Sequence, residues 1–94
     1  MEVYEEVGRN MKIKIGGKTF TINYIDGLAD YGSTDFDTQI ILIRNGMTDE
    51  NKVSTIIHEC IEILNETYNL ELKHQTIQTL EAGIFQIIKD NRLC

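Results

Sequence analysis

Thr55-Ile56-Ile57-His58-Glu59-Cys60-Ile61-Glu62-Ile63-Leu64 is the stretch on which the reading of this chain turns. It sets one histidine and two glutamates inside an otherwise apolar run, and nothing in helix packing calls for them there. As a helix at about 100° per residue, the run brings His58 and Glu62, one turn apart, to the same side. Two side chains so placed can hold one metal ion.

Working outward, Thr48 reads as the N-cap of this helix, with Asp49 and Glu50 in the first turn where the helix dipole favours negative charge. Val53, Ile56, Ile57, Cys60, Ile61 and Leu64 fall at helical spacing and define its buried stripe, with His58 at the edge and Glu62 about 40° further round. Asn69 or a neighbour ends it. A second helix is expected from about His74 to Asp90, with Ile77, Leu80, Ile84, Ile87 and Ile88 as its apolar face. Glu81 falls within that face. A carboxylate there costs several kcal/mol unless it is hydrogen-bonded, protonated or bound to a metal. His74, two turns earlier, points in nearly the same direction.

Four candidate ligands therefore come from consecutive helices: His58 and Glu62 from the first, His74 and Glu81 from the second. They include the only two histidines in the chain. An antiparallel helical hairpin would bring the two faces together around one tetrahedral ion with nitrogen and oxygen ligands. Glu59, one residue from His58, faces the ion less directly, which is where a general base belongs. Taken singly, each residue has a plainer reading: a core-edge histidine, solvated helix glutamates, an exposed His74, and a Glu81 satisfied by Tyr31, Tyr68 or a backbone amide. Their joint occurrence favours the metal site. A carboxylate-bridged di-iron site would need two Glu-x-x-His pairs, and neither histidine has a glutamate at that spacing.

The amino-terminal half reads as a sheet. Residues 1 to 10 show no periodicity and fit a flexible tail, and Met11, where periodicity begins, would serve as an alternative start. Met11, Ile13 and Ile15 alternate with Lys12 and Lys14, as a half-buried strand requires. Gly16-Gly17 supplies a two-residue hairpin turn, placing Ile13 opposite Phe20 and Met11 opposite Ile22. From Asp26-Gly27 to Asp37 the composition is that of a connecting loop. Asp26, Asp30, Asp35 and Asp37 lack the spacing of a calcium loop and read as turn residues. Gln39-Ile40-Ile41-Leu42-Ile43 is a short apolar run suited to a strand covered on both sides. The expected fold is one α+β domain spanning residues 1 to 94: a small antiparallel sheet, the hairpin plus a third strand, packed on two consecutive helices.

Composition narrows the function. A formal charge of −6 without a Lys/Arg cluster argues against nucleic acid. No apolar run approaches the roughly 20 residues that cross a bilayer, which argues against a membrane role. The acidic start, Met1 to Glu6, lacks the regions of a signal peptide. Cys60 and Cys94 form no metal-type pair and are expected as free thiols in a reducing cytoplasm, Cys60 as core packing.

His58-Glu59-Cys60-Ile61-Glu62 resembles the H-E-x-x-H motif of zinc metallopeptidases, with Glu62 in place of the second histidine. Together with the strand Gln39 to Ile43 before it and Leu80-Glu81-Ala82-Gly83-Ile84-Phe85 after it, the segment from about 31 to 91 looks like a minimal gluzincin. It is similar to small phage-associated and ImmA/IrrE-like proteins. The resemblance implies a zincin-like fold, one zinc ion, His58 and Glu81 as ligands, Glu59 as the base that activates water, and a peptide or protein substrate laid along the edge of the apolar strand. Glu62 is the departure, and it leaves open whether His74 replaces the missing imidazole. The alternative implied is a non-catalytic phage-type accessory or binding protein that keeps the zincin fold and its ion as a structural staple.

Overall fold

The computed structural model describes residues 11 to 93; the tail expected at residues 1 to 10, and Cys94, lie outside them. β1 (Met11–Ile15) and β2 (Lys18–Ile25) pair antiparallel across Gly16 and Gly17, whose φ angles of 60° and 84° are those a tight hairpin demands. The register sets Ile13 against Phe20 and Met11 against Ile22. Alternation and the Gly16-Gly17 turn together specify this hairpin.

The next segment departs from expectation. Within the predicted loop lies a strand, β3 (Gly32–Asp35), which pairs antiparallel with β4 (Ile40–Arg44). β4 in turn pairs with β2 in parallel, giving a four-stranded mixed sheet of order β1-β2-β4-β3 in place of the expected three-stranded antiparallel one. Gly-Ser-Thr-Asp has no strand pattern of its own; pairing with β4 makes it one. The turn between β3 and β4 is tied by Asp35 Oδ1, which accepts from the amides of Asp37 and Thr38 at 3.0 and 3.2 Å. That is the turn role expected of Asp35.

The apolar strand is covered unequally. Ile41 and Ile43 are fully buried, whereas Ile40 and Leu42, on the opposite face, are only half-buried. Both helices lie on one side of the sheet, so the expectation of cover on two faces is corrected. Ile15, Phe20, Ile22, Ile41 and Ile43 form the core with Ile63 from the first helix.

α1 (Asp49–Tyr68) starts as expected, Thr48 accepting from the amide of Asn51 at 3.1 Å, and ends at Asn69 in the left-handed conformation. α2 (His74–Asp90) packs on α1. The stripe expected on α1 holds at Ile56, Cys60 and Ile61 and fails at Val53 and Leu64. Ile56, Cys60 and Ile63 face the sheet, and Ile61 is buried outside that cluster. Val53 and Leu64, at 41% and 37% exposure, cover neither partner fully. The buried face of α2 also shrinks: Ile77 is buried at 2%, while Leu80, Ile84 and Ile87 are exposed. One stripe was expected on α1; it has two, because it has two neighbours. Among the described residues no helix is long and apolar enough to cross a membrane.

The phase of α1 is open to direct test by urea unfolding. Ile63→Ala should cost about 2 to 5 kcal/mol, the range for emptying a filled core position. Leu64→Ala, one residue on, should cost less than about 1 kcal/mol. Equal losses would return the stripe to its expected phase.

Candidate metal centre

α1 and α2 meet along a line that carries polar side chains, and β3 closes one end of it. A cleft of ≈ 300 Å³ opens there, lined by Tyr31, Gly32, Thr55, His58, Glu59, Gln78 and Glu81. Three of these come from α1, two from α2, one from the start of β3 and one, Tyr31, from the residue before it. A carboxylate-rich cleft between packed elements is the usual setting for a cation or for acid-base chemistry.

His58 sits between two carboxylates. Its Nδ1 is 2.8 Å from Glu81 Oε1 on α2, and its Nε2 is 3.2 Å from Glu62 Oε2, one turn along α1. Glu81 is held from its other oxygen by the Ser54 hydroxyl, which donates to Oε2. A neutral imidazole has one N–H and one lone pair. If Nδ1–H is given to Glu81, the Nε2 lone pair faces a carboxylate, and that contact is favourable only when a cation, proton or metal, lies between them.

His74 approaches from α2. Its ring lies 5.7 Å from that of His58, centroid to centroid, at 71° between planes, and its Nε2 is 3.1 Å from the Gln78 side-chain amide. One ligand atom each from His58, Glu62 and His74 fall within 4.8 Å of one another. Three of the four expected ligands thus converge. The fourth, Glu81, stands on the far nitrogen of His58, outside this group. Two imidazoles and one carboxylate fit a zinc ion with a position left open.

Glu59 takes another direction. It points toward β3 and is 6% exposed, the most buried charged side chain described. Thr34 donates to its Oε1 at 2.7 Å, and its Oε2 lies beside Gly32. Burial pushes the Glu59 carboxyl above the ordinary carboxylate range, the Thr34 hydroxyl and His58 pulling the other way. Cys60, a free thiol packed against the core, is also pushed up, by burial and then by the charge of Glu59.

Sequence reasoning missed Ser54, Thr34, Gly32 and Gln78. Ser54 precedes His58 by one turn, so its side was legible once the phase of α1 was right. Thr34 and Gly32 belong to the strand taken for a loop, and no motif marks them. The anticipated partners of Glu81, the Tyr31 or Tyr68 hydroxyl or a backbone amide, are replaced by Ser54 and His58. No family model matches the chain, and neither curated proteins nor solved structures give a match. The site is therefore read from its own geometry.

Gly32 is where that geometry is tightest. A Cβ there would lie 2.7 Å from Thr55 Cγ2, 3.1 Å from the Leu42 carbonyl oxygen and 3.4 Å from Glu59 Oε2. Gly32→Ala should lower stability by about 1 to 3 kcal/mol in thermal or urea unfolding, the usual cost of overpacking. Adding Thr55→Ser, which removes Cγ2, should recover part of that loss; no recovery would place the strain elsewhere.

Proposed function

We propose that one zinc ion binds beside the cleft, through His58, Glu62 and His74, and that the protein is a zincin-like hydrolase of peptide bonds with Glu59 as general base. The observation that carries this reading is the meeting of three ligand atoms from two helices, with the buried Glu59 carboxylate held toward β3 on the residue next to His58. Zinc so held supplies Lewis acidity, which activates water and polarises a carbonyl. Every other part falls to the chain itself. Thr34 fixes the Glu59 carboxylate through Oε1, and Oε2 is the oxygen that takes a proton from the attacking water and returns it to the leaving amine.

The substrate fits an extended peptide segment. The resemblance assigned the receiving edge to the apolar strand, but β4 lies inside the sheet, and β3 is the edge beside the cleft. The Arg44 amide donates to the Tyr31 carbonyl at 2.8 Å. By the alternation of an antiparallel ladder, Ser33 and Asp35 then bond inward to β4 while the N–H and C=O of Gly32 and Thr34 face outward. A strand added there would run past Glu59 and His58.

A second reading is a binding protein in which the ion is a structural staple. It is favoured by the thin attachment of α2, which is buried at Ile77 alone and rests on α1. Substitution at Glu59 separates the two readings.

After dialysis against chelator, the protein should take up one equivalent of zinc, and at a hundredfold excess over Kd its stability should rise by about 2.7 kcal/mol. His58→Ala and His74→Ala should abolish this uptake. Glu59→Gln should keep the zinc and lose peptide hydrolysis by about 10²- to 10⁴-fold. A wild-type protein that takes up no zinc defeats the metal site; one that binds zinc but cleaves no peptide library leaves the staple.

A further inference from the structure

We infer that Glu81 is a positioning residue: it holds His58 Nδ1–H, with Ser54 holding Glu81 in turn, and so makes Nε2 the nitrogen offered to the metal. This deepens the metal reading above and rests on it. The geometry assigns the roles. Glu81 Oε1 is 2.8 Å from Nδ1, a charge-assisted hydrogen-bond distance, and Nε2 is the nitrogen that faces Glu62. A free histidine side chain prefers its proton on Nε2, the tautomer that would block this nitrogen. A carboxylate acceptor on Nδ1 reverses that preference, orients the ring and raises the donor strength of the lone pair opposite.

The placement of Glu81 is set by α1. It is one-quarter exposed at its side chain, sits on α2, and crosses the seam to reach two residues of α1, Ser54 and His58, that stand one turn apart. Both carboxylate oxygens are engaged by α1. A ligand to the ion would instead turn an oxygen toward the group formed by His58, Glu62 and His74. Ser54 matters because its hydroxyl leaves Oε1 as the oxygen for His58.

The test uses the full chain, free of metal, at about pH 8, above the ordinary range for histidine. Long-range ¹H–¹⁵N spectra should show His58 protonated at Nδ1 in the wild type. In Glu81→Ala they should show the proton moved to Nε2, with His74 unchanged. Zinc affinity, measured by competition with a chromophoric chelator, should fall about 10- to 100-fold in Glu81→Ala, less in Ser54→Ala, and be partly restored in Glu81→Gln, whose amide oxygen still accepts Nδ1–H. The visible spectrum of the cobalt-substituted protein should keep its coordination pattern in Glu81→Gln.

A wild-type His58 that carries its proton on Nε2 alone, or wild-type zinc affinity in Glu81→Ala, overturns the inference. So does a cobalt spectrum showing a lost ligand in Glu81→Gln. Absence of zinc uptake by the wild type defeats the metal reading instead, and the nitrogen spectra still decide whether Glu81 holds the Nδ1 proton.

Discussion

α1 has to satisfy two apolar neighbours at once, and the rest of the molecule follows from that demand. Ile56, Cys60 and Ile63 turn to the sheet, while the side that meets α2 receives Ile77. A helix buried along two separate lines has a strip between them that is covered at its margins and open at its centre. Ser54, His58 and Glu62 lie at one-turn intervals along α1, and Thr55 with Glu59 lies beside them toward β3. Polar groups in such a strip are neither free in water nor sealed in hydrocarbon, and each needs a partner. The partners present are hydroxyls from Ser54 and Thr34, and histidine nitrogens.

The charge in the strip is unbalanced in the same way. Three carboxylates, Glu59, Glu62 and Glu81, gather around two imidazoles, and among the described residues no lysine or arginine lines the cleft. Arg44, which stands near the rim, is engaged elsewhere, giving its side-chain N–H groups to the carbonyls of Leu28 and Ala29 and lying 4.8 Å from the centre of the Tyr31 ring. Lys89 is paired with Glu50 at 2.7 Å toward the carboxy-terminal end of α2. A cation placed among these groups would balance charge that the chain itself leaves uncompensated.

How much of this was legible before any coordinates depended on how local each signal was. The hairpin was legible because strict alternation and Gly16-Gly17 carry the whole instruction within fifteen residues. The limits of α2, and the N-cap of α1 at Thr48, were legible from capping and composition. β3 was not, since nothing in Gly32 to Asp35 favours a strand until β4 lies beside it. The phase of α1 was not either: Val53 and Leu64 share an apolar wheel position with Ile57, and only the presence of two packing partners decides for Ile63. His58, Glu62 and His74 were found through their chemistry, which survives an error of phase because residues four apart stay together at any phase. Glu81 was found for the right reason, its misfit in an apolar face, and given a different neighbour from the one it has.

The order β1-β2-β4-β3 means that the chain lays down its third strand before the strand which that segment must pair with. Until residues 40 to 45 arrive, Gly32 to Asp35 has no ladder to join, and the connection before it has nothing to hold its shape. Arg44 and Asn45 then pin that connection at four backbone carbonyls, those of Ile25, Leu28, Ala29 and Tyr31. The wall of the cleft thus depends for its pairing on a segment that follows it in the chain. Its assembly waits on insertion of a strand between two others, and any nascent or truncated chain ending before Arg44 lacks it altogether.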